Sequence, residues 1–111
     1  MTPTMFNILV VLSGGEKHGY AILQEIAELN DGKSSFGPTS LYRTIRTMLE
    51  GGLIKELSKS RVSDNDDERR RYYRLTQSGI KILKEEVSRL EGLLKVVKSQ
   101  RPNLLGGGSR R

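Results

Sequence analysis

Residues 40–54 read SLYRTIRTMLEGGLI, and the fold turns on how this stretch lies on a helix. At roughly 100° per residue, Leu41, Ile45, Met48 and Leu49 share one arc, while Thr39, Arg43, Arg46 and Glu50 lie on the opposite arc. Tyr42 falls at the border beside Arg46. Pro38 suits the first turn, where its missing N–H has no intrahelical partner, and Gly51 with Gly52 supplies the stop. The apolar arc demands a core to lie against. The outer arc offers two guanidiniums, hydroxyls and a phenol to something anionic and rich in hydrogen-bonding groups. The DNA major groove is such a surface: an arginine forks to guanine O6 and N7, a threonine meets a thymine methyl, and tyrosine or serine holds phosphate oxygens. A merely solvated helix face carries similar residues, so the neighbouring elements have to separate the two readings.

Upstream, Met5, Ile8, Leu9 and Leu12 follow the spacing of a helix with one buried face, and Gly14 with Gly15 stops it. After a turn at 16–19, Ile22, Leu23, Ile26 and Leu29 repeat the pattern until Asn30, Asp31 and Gly32. Downstream, 53–57 suits a strand at least half buried and 72–76 a second, with Tyr73 and Leu75 on one face. The segment between them, 58–71, is polar and contains SDNDDERRR, the charged tip of a hairpin. Three short helices followed by such a hairpin form a helix-turn-helix with a wing, an order that sets the third helix and the wing on the same side. In the wing, Asp64, Asp66, Asp67 and Glu68 would repel phosphate and Arg69, Arg70 and Arg71 would attract it. The acids are expected at the tip and the arginines on the return strand, where they reach DNA or pair with the acids. Lys33, Ser34 and Ser35, just before the third helix, are further phosphate candidates.

From Thr76 to about Ser99 runs the longest regular segment. Ile80, Leu83, Val87, Leu90, Leu94 and Val97 alternate steps of three and four residues, the spacing of a heptad seam. Ile82, Leu93 and Val96 widen the apolar face, so the helix is expected to pack on its own domain and on a second copy, making a homodimer. The alternative is a helix folded wholly back on its own core. Gly92 weakens this helix by roughly 1 kcal/mol relative to alanine. The expected organisation is mainly α with a small β-hairpin: a winged helix-turn-helix domain at 1–75, a C-terminal dimerisation helix at 76–100 and a flexible basic tail at 101–111.

Composition bounds the function. The chain has 111 residues, 35% of them hydrophobic, enough for one small core. It contains no cysteine and a single histidine, His18, with no phosphate-binding glycine loop and no cluster of metal ligands. No catalytic site and no cofactor are expected. The apolar run Ile8 to Leu12 is far too short to span a bilayer, which suggests a cytoplasmic protein without a membrane partner. The net charge of +6 is uneven. Residues 1–32 carry Lys17 against Glu16, Glu25, Glu28 and Asp31, whereas 33–61 carry Lys33, Arg43, Arg46, Lys55, Lys59 and Arg61 against Glu50 and Glu56. That asymmetry favours a polyanionic partner, although a basic surface also serves solubility alone.

Three stretches carry a specific resemblance. HGYAI at 18–22, SLYRTIRTMLEGGLIKE at 40–56 and RRRYYRLTQSGIKIL at 69–83 resemble the signature stretches of the PadR family of winged-helix transcriptional regulators, in the same order and at about the same spacing. The likeness extends to about residue 98. It implies a homodimeric repressor that binds double-stranded DNA at a pseudo-palindromic operator. By position it gives DNA-facing roles to Thr39, Ser40, Tyr42, Arg43 and Arg46, and inclines Arg69 and Arg70 toward contact. Gly19 and Tyr20 would stand at the start of the second helix, near the phosphate backbone or packed against the third. The single C-terminal helix resembles a shorter subgroup, some members of which bind flat aromatic compounds between the dimerisation helices. Residues 77–111 contain no aromatic residue, so a small hydrophobic effector would rest on leucine and valine alone, and a ligand-independent regulator fits equally well. The competing class is a winged-helix adaptor that binds protein through the same surfaces and has no specific DNA site.

Overall fold

The computed structural model describes residues 1–29, 37–57, 71–101 and 103. Helix α1, Pro3–Leu12, starts as its sequence dictates: the Thr2 hydroxyl accepts from the Met5 N–H at 3.1 Å, and proline occupies the first turn. Strand β1, Lys17–His18, leads directly into α2, Gly19–Leu29. Here His18 does the work of a cap, its Nδ1 accepting from the Ala21 N–H at 3.2 Å. Helix α3, Pro38–Glu50, is followed by strands β2, Ile54–Leu57, and β3, Tyr72–Leu75, and by the long helix α4, Gln77–Gln100.

One core serves all of these elements. Ile8, Leu9, Val11 and Leu12 of α1 meet Ile22 and Ile26 of α2, Leu41, Ile45 and Met48 of α3, and Ile54 and Tyr73 of the sheet. Met5, Leu23 and Leu49 lie at its margin, and Leu29, assigned by its spacing to the buried face of α2, is exposed. It occupies the last position of the helix, beyond the reach of the core.

The sheet contains a strand that the spacing of the sequence did not suggest. Its order is β1-β3-β2, all antiparallel, with Lys17 opposite Tyr73 and His18 opposite Tyr72 on one side, and Glu56 opposite Tyr73 and Leu57 opposite Tyr72 on the other. Two residues are too few for a periodic signal. The extra strand explains why Tyr72 is as buried as Tyr73 although the two point to opposite faces: the His18 ring packs edge-on against Tyr72, centroids 5.4 Å apart. Lys17 reaches back to Glu25 of α2 at 3.4 Å.

Helix α4 divides into two stretches. Its first turns lie against α1 and β3, where Ile82 and Leu83 are half-buried on the core. Leu83, assigned by the heptad pattern to a seam between copies, is therefore engaged with its own domain. Beyond it, Val87, Leu90, Leu93, Leu94 and Val96 are exposed, and Val97 is half-buried. Leu9 has no exposed surface. Truncating it with Leu9→Ala is expected to lower stability by about 2–5 kcal/mol in urea unfolding, through lost burial plus the cavity left behind.

Candidate DNA interface

The candidate interface is built on α3 because that helix has two opposed faces. Leu41, Ile45 and Met48 are buried, which turns Thr39, Tyr42, Arg43, Arg46 and Thr47 outward. Pro38, Thr39, Tyr42, Arg43 and Arg46 line one open concavity of about 470 Å³. No acidic residue lines it, and among the described residues neither guanidinium has an ion-pair partner. Ser40 is half-buried and its carbonyl accepts the Thr44 hydroxyl at 3.0 Å, while the Thr47 hydroxyl donates to the Arg43 carbonyl at 3.2 Å. These two threonines thus spend their protons on their own helix, whereas Thr39 stands exposed in the first turn.

Tyr42 joins α3 to α2. A Cβ placed on the buried Gly19 would overlap the Tyr42 hydroxyl and stand 2.7 Å from its Cε1, so the phenol ring lies directly over the start of α2. Any larger residue at position 19 would have to push this exposed ring aside. Of the two placements open to the HGY stretch, Gly19 takes the one packed against the third helix. Tyr20, the next residue, is 59% exposed on the same end of α2, its hydroxyl accepting from Gln24 Nε2 at 3.3 Å. Behind this contact the Tyr73 phenol is pushed above its ordinary pKa, first by burial and then by Glu56 and Tyr42, with Arg71 opposing. Arg71 itself pairs with Glu56 across the strands at 2.9 Å in an exposed bridge, the kind that adds little stability.

The structure therefore brings together Thr39, Tyr42, Arg43 and Arg46 on one face, with Ser40 partly withdrawn and Tyr20 at the adjoining helix start. Lys33, Ser34, Ser35, Arg69, Arg70 and the acidic residues of the wing tip lie outside the described residues. The capping role of His18 had a signal in the sequence, an acceptor three residues before the Ala21 N–H, but histidine is a rare residue in that position. Among the described residues, no three potential metal ligands cluster, and no helix is long and apolar enough to cross a membrane.

A buried trihelical core, an exposed cationic third helix and a following antiparallel β2–β3 pair define a winged-helix DNA-binding protein. Residues 8–85 match the transcriptional regulator PadR-like family, and the chain belongs to it. It is a DNA-binding transcription regulator, in a family that acts by binding rather than by catalysis. Among solved structures, a transcriptional regulator from Clostridium thermocellum is 29% identical, the match covering 86% of this chain and 87% of that one with a TM-score of 0.68. A PadR family transcription regulator from Clostridium difficile shares the fold at 24% identity and a TM-score of 0.72, covering 88% of this chain and 97% of that one. RosR of H. salinarum does so at 22% identity and 0.63, covering 90% and 93%. No curated protein matches the sequence.

Two outcomes follow, one from the contact of Gly19 with the Tyr42 ring and one from the burial of Tyr73. Gly19→Ala is expected to swing the exposed Tyr42 ring off α2 while changing stability in urea unfolding by no more than about 0.5 kcal/mol, because an exposed side chain can move aside. Because the Tyr73 phenol holds its proton more tightly folded than unfolded, its stabilisation is complete below the unfolded pKa of about 10 and is lost as pH rises through the folded value. The free energy of unfolding measured from about pH 9 to about pH 11 should thus fall more steeply in the unchanged protein than in Tyr73→Phe.

Proposed function

We propose that the protein is a homodimeric repressor that reads a pseudo-palindromic operator with one α3 per half-site and blocks transcription by occupying it. The observation that carries this reading is the face of α3: two guanidiniums without an ion-pair partner among the described residues, beside Thr39 and Tyr42, on a helix whose opposite arc is buried at Leu41, Ile45 and Met48. Arg43 and Arg46 are the base readers, Thr39 and Tyr42 supply apolar and phosphate contacts, and Ser40 and Tyr20 hold the backbone at the helix starts. Lys33, Ser34, Ser35, Arg69 and Arg70, which lie outside the described residues, add phosphate contacts.

The second half of α4 supports the homodimer. Val87, Leu90 and Leu94 are exposed apolar residues in heptad spacing, joined by Val97 and flanked by Leu93 and Val96, on a helix that has already left its own core. Ile80 prolongs the stripe toward the domain. The leucine and valine lining would accept a small hydrophobic effector, and the protein would act where the chromosome lies, in the cytoplasm.

Fragments selected from the source genome supply the operator. On it, Arg43→Ala and Arg46→Ala should each weaken binding by about 1–3 kcal/mol in fluorescence anisotropy without changing the circular dichroism spectrum. Affinity should fall with salt at a log–log slope of about −0.9 per phosphate contact, whereas a protein-binding adaptor selects no duplex at all. Replacing Leu90 with glutamate should convert the sedimenting species to a monomer, and an intact dimer would contradict the seam.

A further inference from the structure

Where α4 begins, a single hydroxyl ties it to the end of α3. Thr76 Oγ1 accepts from the Gly79 N–H at 3.0 Å, capping α4, and donates to the Gly52 carbonyl at 2.5 Å, in the turn that leaves α3. The Thr76 N–H adds a bond to the Leu53 carbonyl at 3.1 Å. That turn is itself held by the α3 carbonyls: Gly51 N–H to Thr47 at 2.9 Å, Gly52 N–H to Leu49 at 3.1 Å and Leu53 N–H to Met48 at 3.0 Å. Gly52 sits at φ +77°, a conformation that favours glycine.

Gly79 completes the joint. A Cβ there would run into the Leu53 carbonyl oxygen and stand 3.1 Å from its carbon, backbone atoms that have no rotamer to escape into. Helix α4 thus meets the α3–β2 turn at a distance that only glycine allows, although glycine weakens a helix. The hydroxyl has both its proton and an acceptor site engaged, so α4 has little freedom to pivot on α3.

We propose that Thr76 and Gly79 are positioning residues for DNA reading: they fix the angle between α3 and α4, so that the paired α4 helices set the distance between the two recognition helices. The proposal rests on the homodimeric operator reading above. Its magnitude decides that it matters. From Thr76 to Leu90 the helix runs about 20 Å, so a pivot of about 10° at the joint moves Leu90 by about 3.5 Å relative to its own α3, one base-pair step along the duplex.

The chain has no cysteine, so Glu50→Cys places one spin label on the exposed end of each α3, and pulsed dipolar spectroscopy of the DNA-free dimer reads the distance between them. The expected result is a narrow distribution in this single variant, a broadened or shifted one when Thr76→Val or Gly79→Ala is added, and the narrow one again with Thr76→Ser. In parallel, selection from a random duplex library should return one half-site spacing for the unchanged protein, and the same half-sites at several spacings for Thr76→Val and Gly79→Ala. A broad distribution with the joint intact overturns the proposal, and so does a narrow one with a single spacing in both joint variants. If Thr76→Val does not fold, the single-label width and Gly79→Ala still decide. Duplex enriched without any effect on spacing overturns the joint alone. No enriched duplex overturns the DNA reading and the spacing claim with it, and no dipolar coupling at all removes the dimer on which both stand.

Discussion

Burial of the inner arc of α3 is the constraint on which everything else in this molecule depends. Leu41 and Met48 have no solvent exposure and Ile45 nearly none, because they close the core formed by Ile8 and Leu9 of α1 with Ile22 and Ile26 of α2. A helix has only one way to satisfy three such residues at once, so its rotation about its own axis is determined by hydrophobic burial. The outward direction of Arg43 and Arg46 is a consequence. The cationic face does not need to be held by polar bonds, which leaves its guanidiniums available to a partner.

Around that constraint the fold uses glycine where two backbones or a ring and a backbone must approach. Gly19 lets the Tyr42 ring lie on α2, and Gly79 lets α4 reach the turn after α3. Each of these glycines sits in the first turn of a helix, where a side chain would have had little cost locally and where its absence instead serves a contact between elements. The same close approach places α2, the sheet and α4 around both ends of α3.

The long helix reconciles two demands. Ile82 and Leu83 belong to the core of their own domain, and the stripe from Val87 onward is left to solvent in the single chain. A regular heptad is therefore engaged with its own core at Leu83 and left exposed at Val87, Leu90 and Leu94. The spacing of apolar residues records a face suited to burial, but the pattern has no term for the body that would bury it, and Leu83, packed on its own core, shows the difference.

Much of this was legible in the sequence. The four helices, the strand pair 54–57 and 72–75 and the two-faced character of α3 follow from residue spacing, proline and glycine, since these express local backbone preference and the direction of burial. The three quoted stretches were enough to point to the family. What only the tertiary structure decided are the relations between segments distant along the chain. The pairing of Lys17 and His18 with β3, the Tyr42 ring over Gly19 and the Thr76 hydroxyl bridging to Gly52 each join residues between 23 and 56 positions apart. Such contacts arise from how closely packed elements meet, a property of the assembled core rather than of any stretch that contributes to it.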